Sequence, residues 1–247
     1  MKQKIKRLAV IGAITLAAAA GLAALIIWVI LPAAKYGKAG SLEAAGDIPG
    51  AYEAFDRMGD YRDAQARKAQ LQADVIASRS SEAMAFGGYE WLVLEERGGK
   101  ALLLLKDTLD PRPYNEAFVE TSWETCTLRL WLNSVFYEGF GLADRARIAE
   151  TAVRGSGNPQ YGAKAAADTT DRVFLLSLEE AKLYFPDNAA RVARDARGAT
   201  VYWWLRSPGL EPILAATVGS DGSLAYTGSG VHYATRGVRP AMWVAKA

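Results

Sequence analysis

An uncharged apolar run is the first feature of the hydropathy pattern, and it extends from Leu8 to Leu31 after a basic segment, residues 1–7. A helix of this length reaches about 36 Å, which is enough to cross a bilayer core of about 30 Å. We therefore expect residues 8–32 to form a transmembrane helix. Its basic flank predicts a cytoplasmic N-terminus and an extracytoplasmic C-terminal part.

A cleaved signal peptide is the alternative explanation of this run. The apolar part of a signal peptide usually holds about 7 to 15 residues. The run here is longer, and Pro32-Ala33-Ala34 is a poor cleavage site of the small-x-small type. The pattern favours an uncleaved membrane anchor.

A helical segment, residues 35–80, is predicted next, because Ala, Glu, Arg, Gln and Leu dominate between Ser41 and Ser80. Two units begin with Gly-Asp, at Gly46 and Gly59, and place alanines and aromatic residues at helical spacing. The segment resembles a tetratricopeptide-like helix pair. Since about three stacked repeats are usually needed for a stable solenoid, a stalk is favoured over a peptide-binding groove.

The pattern changes to strands and short helices in residues 81–247. Strands at 89–95 and 100–106 flank Arg97-Gly98-Gly99, which predicts a hairpin. Thr121-Ser122-Trp123-Glu124 is a capping sequence for a helix carrying Cys126 to Phe136, and a second helix is expected at 142–149.

The second half of this domain begins with a predicted buried strand, residues 172–176, followed by a helix that Ser177 and Glu180 cap. We expect residues 188–200 to form a surface loop or short helix. Short strands then form a closing antiparallel sheet, with Asp221-Gly222 as its tight turn. These predicted strands are 202–206, 215–218, 224–227 and 241–244. Helices between an opening hairpin and a closing sheet indicate an α+β domain.

Five motifs in this domain occur in the order of a known family. They are residues 113–116, 123–133, 173–177, 203–209 and 237–241. Together they resemble domain of unknown function 6273, over roughly residues 84–247. That family is similar in turn to the C-type lectin-like fold of formylglycine-generating enzymes and of the variable receptors of diversity-generating retroelements. The resemblance implies a scaffold that displays ligands behind a membrane anchor in Gram-positive bacteria.

Composition excludes several classes of function. The 29 basic and 27 acidic side chains nearly balance, so we expect no general attraction to nucleic acid. A single cysteine, Cys126, and a single histidine, His232, leave a zinc site or a disulfide framework without partners. No calcium-loop motif or nucleotide-binding glycine motif occurs, so no metal or cofactor is expected, although carboxylate-only calcium sites stay open.

Catalytic residues are not expected either. His232 has no nucleophile in a recognised arrangement beside it, and Ser207 lacks a Gly-x-Ser-x-Gly elbow. Formylglycine generation needs a pair of active-site cysteines, whereas this chain has only Cys126. We expect no enzyme activity.

The closing segment supplies the candidate binding residues. Arg206 and Arg239 are expected to be buried and to tie neighbouring segments together. Trp203 and Trp204 should point to opposite faces of a regular strand, with one of them exposed. A shallow binding site is predicted from aromatic, arginine and carboxylate side chains. Its members are Trp204, Asp221, Tyr226, His232, Tyr233 and Arg236.

The sequence thus predicts a non-enzymatic, membrane-anchored module that binds a cell-wall glycan, a peptide or an envelope protein. A structural or assembly component of the envelope, acting through the stalk and the outer domain, is the alternative. An enzyme descended from a lectin-like ancestor is the third hypothesis.

Overall fold

The computed structural model of the chain describes residues 22–78 and 83–246. It divides into two compact units, one ending at Leu71 and the other beginning at Gln72. The expected basic tail, residues 1–7, and residues 8–21 of the expected transmembrane helix lie outside the described residues.

One continuous helix, Leu22–Ala44, is long and apolar enough to span a membrane or to act as a signal anchor. It contains a π-helical turn, Ile26–Ile30, followed by α1, Leu31–Ala44. The helix continues past residue 32, the expected end of the transmembrane segment, to Ala44. Pro32 lies inside this continuous helix, directly after the π-helical turn in which Leu31 N donates to Ile26 O. A local π adjustment is one way in which a helix accommodates a proline.

The first unit packs α1 with α2, Ile48–Asp56, and the beginning of α3, Ala64–Ser78. The Asp47 side chain caps α2 by accepting a hydrogen bond from the Gly50 amide at 3.0 Å. The residues buried between these helices are mostly small or aromatic. They are Ala39, Gly50, Ala51, Tyr52, Phe55, Ala64 and Leu71. Small side chains allow the helices to approach closely, as the alanine-rich pattern predicts.

The opening hairpin is confirmed. Strands β2, Tyr89–Arg97, and β3, Lys100–Leu105, are joined by Gly98 and Gly99, whose φ values are 56° and 73°. Positive φ at both positions is what a two-residue hairpin turn requires. Strand β1, Ala83–Phe86, pairs with the other edge of β2.

The last strand, β11, Ala241–Ala245, joins this opening sheet in the order β1-β2-β3-β11. Met242 pairs with Leu103 in an antiparallel register. The expectation that residues 241–244 belong to the closing sheet is therefore wrong. Residues 101–105 of β3 are all buried, so this strand needs a partner on both edges to satisfy its backbone.

The closing sheet has three strands in the order β10-β9-β8. They are β8, Trp203–Pro208, β9, Leu214–Val218, and β10, Leu224–Gly230. A register shift between Trp204 and Pro208 interrupts the regular alternation of β8. Trp203 and Trp204 are both 0% exposed, so the expectation that one of the two is exposed is wrong.

The first helix of this domain is α4, Thr127–Trp131, which continues as a π-helical turn, Leu132–Phe136. Its N-cap is Cys126, whose Sγ accepts from the Arg129 amide at 3.4 Å. The predicted capping sequence, residues 121–124, is therefore wrong: the helix begins about one turn later, after Cys126. The next helix, α5, Leu142–Arg147, is shorter than predicted.

Residues 173–176 are buried as predicted, but they form no strand. The Asn133 side chain takes the place of a partner strand: its Oδ1 accepts from Val173 N at 3.1 Å and its Nδ2 donates to Val173 O at 2.8 Å. Phe174 then pairs with Ala241 in a single bridge. The following helix, α6, Leu178–Tyr184, has the predicted capping box of Ser177 and Glu180.

The remaining elements are short. Helix α7, Asn188–Arg191, leads into a small ribbon of β6, Ala193–Arg194, and β7, Thr200–Val201, while β4, Thr151–Val153, pairs with β5, Thr169–Asp171. The domain is thus a mixture of helices and small antiparallel sheets, and the α+β class is confirmed.

Candidate functional site

Two buried arginines, Arg206 and Arg239, connect separate segments of the domain. Arg239 is 1% exposed and donates to Leu105 O and Lys106 O, both at 2.8 Å, and to Arg191 O at 3.3 Å. Its guanidinium lies 5.0 Å from the centre of the Trp203 ring. The planar donor set thereby ties the end of β3 to the end of α7.

Arg206 forms the second tie. Its Nη2 donates to Glu180 Oε1 at 2.8 Å, its Nη1 to Leu175 O at 2.9 Å, and Nη1 also pairs with Glu180 Oε2. Burial lowers the pKa of the Arg206 guanidinium, but the adjacent Glu180 carboxylate more than offsets this and holds that pKa above its ordinary value. Strand β8 is therefore locked onto the capping box of α6.

A buried hydroxyl network next to Arg206 was not predicted from the sequence. Ser207 Oγ accepts from Leu178 N at 2.9 Å and lies 2.7 Å from Ser156 Oγ, which donates to Glu179 Oε2 at 3.0 Å. Ser207 is 0% exposed. No sequence signal links Ser156 to Glu179, since the loop between them folds back only in the tertiary structure.

Five side chains on the surface form a continuous series of contacts, which we call the aromatic–arginine strip. Its members in spatial order are Phe118, His232, Tyr233, Arg236 and Tyr202. The ring centres are 4.4 Å apart for Phe118 and His232 and 4.6 Å for His232 and Tyr233. The Arg236 guanidinium lies 5.7 Å from the Tyr233 ring and 4.9 Å from the Tyr202 ring.

The strip is exposed and its arginine is held in place. Phe118, Tyr233 and Tyr202 are 54%, 47% and 43% exposed. Arg236 Nε donates to Ser229 Oγ at 3.2 Å, which fixes the guanidinium between the two tyrosines. Aromatic faces and a positioned guanidinium suit ligand recognition through stacking and hydrogen bonding.

Of the six residues predicted for the site, only His232, Tyr233 and Arg236 come together. Trp204 is fully buried; its Nε1 donates to Arg112 O at 2.8 Å, and so it presents no face to a surface ligand. Asp221 accepts from the Ser223 amide at 3.0 Å and stabilises its own turn.

Tyr226 contacts a different neighbour, since its ring centre lies 5.4 Å from Lys182 Nζ. Phe118 and Tyr202 were missed by the sequence reasoning. Phe118 lies in a loop between Ala117 and Val119, and this short apolar run has no helix or strand period that would indicate an exposed ring. Tyr202 precedes the first tryptophan of β8, and alternation along that strand predicts an outward side chain there.

Two cavities lie outside the strip. One, which we call the Tyr114–Trp123 cavity, has a volume of about 390 Å³ and is mainly apolar. Besides those two residues it is lined by Thr121, Ser122, Ala163, Lys164, Ala165, Ala166, Arg206, Pro208, Leu210, Glu211, Pro212, Leu214 and Ala215. The other is an open groove of about 500 Å³ beside β2 and β3. No strip residue lines either cavity.

The structure defines the surroundings of Cys126 and His232, the single cysteine and the single histidine of the chain. Burial raises the pKa of the Cys126 thiol to about 12, so the thiol stays protonated near neutrality. The His232 ring contacts the rings of Phe118 and Tyr233. Among residues 22–78 and 83–246, no group of three His, Cys, Asp or Glu side chains is placed to hold a metal ion.

Comparison with known proteins gives one match. The family model described as Domain of unknown function (DUF6273) matches residues 98–246, which include β3, the strip and both buried arginines. No curated protein and no solved structure matches the chain.

Proposed function

We propose, from the premise that the chain belongs to the family described as Domain of unknown function (DUF6273), that it is a membrane-anchored binding module of the cell envelope. In this proposal the aromatic–arginine strip of a lectin-like outer domain binds the ligand. The ligand is a cell-wall glycan, a peptide or an envelope protein.

The observation that carries this proposal is the continuity of the strip. Four rings and one guanidinium touch in sequence, although they come from three separate parts of the chain. Exposing these rings to water is unfavourable for the free protein, whereas Tyr and Arg are the residues that contribute most to binding at interfaces. An extended surface without a cavity suits a polymeric ligand better than an enclosed small molecule.

A non-enzymatic role is supported by the surroundings of the reactive side chains. Cys126 and Ser207 are both buried, and each hydrogen bonds to a neighbouring structural element. The one histidine lies in the strip, where its ring stacks with other rings. None of these groups forms the nucleophile and base pair that covalent catalysis needs.

Anchoring through the N-terminal helix is supported by its length and composition. Leu22 to Leu31 are exposed apolar side chains in the described part of this helix. The basic residues at positions 2 to 7 favour a cytoplasmic N-terminus. The outer domain then faces the cell wall.

The proposal is tested by sedimenting purified cell-wall sacculi with the full chain in detergent micelles. Arg236→Ala and Tyr233→Ala should each weaken binding about tenfold, because both residues contribute to the centre of the strip. Arg197→Ala and Tyr161→Ala are the matched controls, since they remove a similar side chain outside the strip.

Digesting the sacculi separates the ligand classes. Loss of binding after cleavage of the glycan strands identifies a glycan, and loss after cleavage of the stem peptides identifies a peptide. Binding that persists in sacculi freed of protein excludes an envelope protein as the required ligand. If deleting residues 35–80 abolishes binding whereas Arg236→Ala and Tyr233→Ala retain it, the result contradicts the role of the strip and supports assembly through the stalk.

A further inference from the structure

The aromatic–arginine strip combines flat rings with one cation, and this combination narrows the class of its ligand. We propose that the ligand is an acidic glycan, whose sugar rings stack on the aromatic side chains and whose carboxylate or phosphate group pairs with Arg236. This inference rests on the proposed function of the strip and names the chemistry that the strip recognises.

The positive charge of Arg236 is not neutralised within the protein. Its guanidinium donates from Nε to Ser229 Oγ at 3.2 Å and from Nη1 to Thr235 Oγ1 at 2.9 Å, and both acceptors are uncharged hydroxyl groups. Among the residues that the structure describes, no carboxylate forms an ion pair with it. By contrast, the buried Arg206 pairs with Glu180. Arg236 therefore keeps its attraction for an anion of a ligand.

The Arg236 guanidinium is positioned before any ligand binds. Its Nε is held by Ser229, which belongs to β10 and pairs with Ala215 of β9. Nη2 has no hydrogen-bond partner within the described ranges, so its donors are available. A planar guanidinium with available donors suits the paired oxygens of a carboxylate or a phosphate. Because the side chain is already ordered, it loses little conformational freedom when it binds an anion.

The partial burial of Arg236 makes an ion pair here stronger than one between fully exposed side chains. The rings of Tyr202 and Tyr233 lie against the guanidinium on the surface of the domain. Water and salt screen a partly buried charge pair less than an exposed one. Loss of the anion should therefore reduce the affinity at least about tenfold, as expected for a hydrogen bond between charged groups.

The flat shape of the strip favours a glycan over a peptide. A peptide or protein usually anchors a side chain in a pocket or adds a strand to a sheet edge. No strip residue lines either cavity described above. In the edge strand β10, Tyr226 O already accepts from Asn158 Nδ2 at 2.7 Å, and Gly230 O accepts from Tyr233 N at 3.0 Å. Sugar rings instead present C–H faces that stack on aromatic rings.

The acidic side chains of the Phe118 loop predict how the glycan is oriented. Glu116 and Glu120 are exposed on either side of Phe118, which is the end of the strip farthest along the contact series from Arg236 and Tyr202. Like charges repel, so the anionic group should not bind at the Phe118 end. We expect the anion at Arg236 and an uncharged sugar ring at Phe118.

The test measures retention of the full chain, in micelles of a neutral detergent, on cell-wall sacculi whose anionic groups have been removed. Carbodiimide with ethanolamine converts carboxylates to amides, and hydrofluoric acid cleaves phosphodiesters. One of the two treatments should weaken binding of the native chain at least about tenfold and thereby identify the anion. Arg197→Ala, which changes an arginine outside the strip, should lose the same factor.

The Arg236 variants separate a direct contact from a general effect of charge. Arg236→Ala should bind untreated sacculi about as weakly as the native chain binds treated sacculi. The same treatment should then change the binding of Arg236→Ala by less than about twofold, because the partner of the anion is already absent. Thermal melting shows whether this variant folds, and Arg236→Gln is the second neutral variant if it does not.

Two results would overturn this inference while the proposed function stands: native binding that survives both treatments, or a treatment loss that is equally large in Arg236→Ala. A treatment loss that cleavage of the stem peptides reproduces, and cleavage of the glycan strands does not, would assign the anion to a peptide and would also overturn it. If Arg236→Ala binds untreated sacculi as well as the native chain does, the proposed function of the strip fails, and this inference fails with it.

Discussion

Arg206 connects β8 to the N-terminal turn of α6 through its ion pair with Glu180. Removing Glu180 would leave the buried Arg206 guanidinium without its hydrogen-bonded carboxylate, with only the nearby Glu179 charge remaining. We expect Glu180→Ala to lower the free energy of unfolding by about 3 to 5 kcal/mol, the usual cost of breaking a buried ion pair. Differential scanning fluorimetry and urea unfolding of the full chain in detergent measure this loss.

The control for this prediction is an exposed residue. Arg197 lies on a surface turn, so Arg197→Ala should change the free energy of unfolding by less than about 0.5 kcal/mol. A small effect of Glu180→Ala, similar to that of the control, would contradict the role given to the Arg206 pair.

The Cys126 thiol gives a prediction on pH. Burial raises its pKa to about 12, whereas an unfolded cysteine titrates near about 8.5. Between these two pKa values only the unfolded chain forms the thiolate. The contribution of Cys126 to stability is therefore complete below the pKa of the unfolded state and is lost as the pH rises through the pKa of the folded state. Native protein at pH 8 should resist iodoacetamide, and urea should make it reactive. Rapid alkylation without urea would contradict the burial.

The tryptophans of β8 show why residue positions in the site were hard to predict. Trp203 and Trp204 pair in regular register with Val218 and Thr217, so their side chains point to opposite faces of β8. Both faces are covered, since Trp203 Nε1 donates to Arg191 O and Trp204 Nε1 donates to Arg112 O. The covering segments come from distant parts of the chain, which a local pattern does not reveal. The outward position of Tyr202 follows from alternation before Trp203.

At the scale of elements, two turns offer a matched comparison. Gly99 and Gly222 both have positive φ, 73° and 81°. A Cβ at Gly99 meets nothing within 4 Å, whereas one at Gly222 would lie 1.8 Å from Asn188 O. Gly99→Ala should cost about 1 kcal/mol and Gly222→Ala at least twice as much, since a backbone clash adds to the strain.

Urea unfolding of the two alanine variants measures this difference. If the two variants lose the same free energy of unfolding, the turn that contains Gly222 can move away from α7 without cost. A larger loss at Gly99 than at Gly222 would contradict the close approach at Asn188.

The local elements were predictable, and their long-range partners were not. The β2–β3 hairpin and the capping box of Ser177 and Glu180 are each encoded within a few residues, so sequence rules identify them. By contrast, β11 joins β3 from the other end of the domain, and Asn133 replaces a strand partner for residues 172–173. Such pairings depend on the tertiary fold.

At the scale of the whole molecule, the membrane arrangement is directly measurable. Because Cys126 is buried, Arg197→Cys provides one accessible thiol on the C-terminal domain. A membrane-impermeant maleimide should label this variant in intact cells and should leave the unmodified protein almost unlabelled. Labelling that requires cell lysis would contradict an extracytoplasmic domain.

Family membership and the α+β class were predictable because each of the five family motifs is a run of consecutive residues. Of the five strip residues, three were predicted from the sequence and two were not. His232, Tyr233 and Arg236 lie within five residues of one another, so their proximity follows from one loop. Phe118 and Tyr202 reach the same surface from distant segments, and no periodic pattern connects them. The lectin-like nature of the scaffold stays a prediction.

Site-specific photo-crosslinking tests the central claim, that the strip contacts an envelope ligand. Benzoylphenylalanine is placed at Phe118, at Tyr233 or, as a control, at the exposed Leu142, in intact cells that carry the full chain. On irradiation, the variants at Phe118 and Tyr233 should form adducts with envelope material, and the control should not. Equal adduct formation at all three positions, or none at the two strip positions, would contradict the claim.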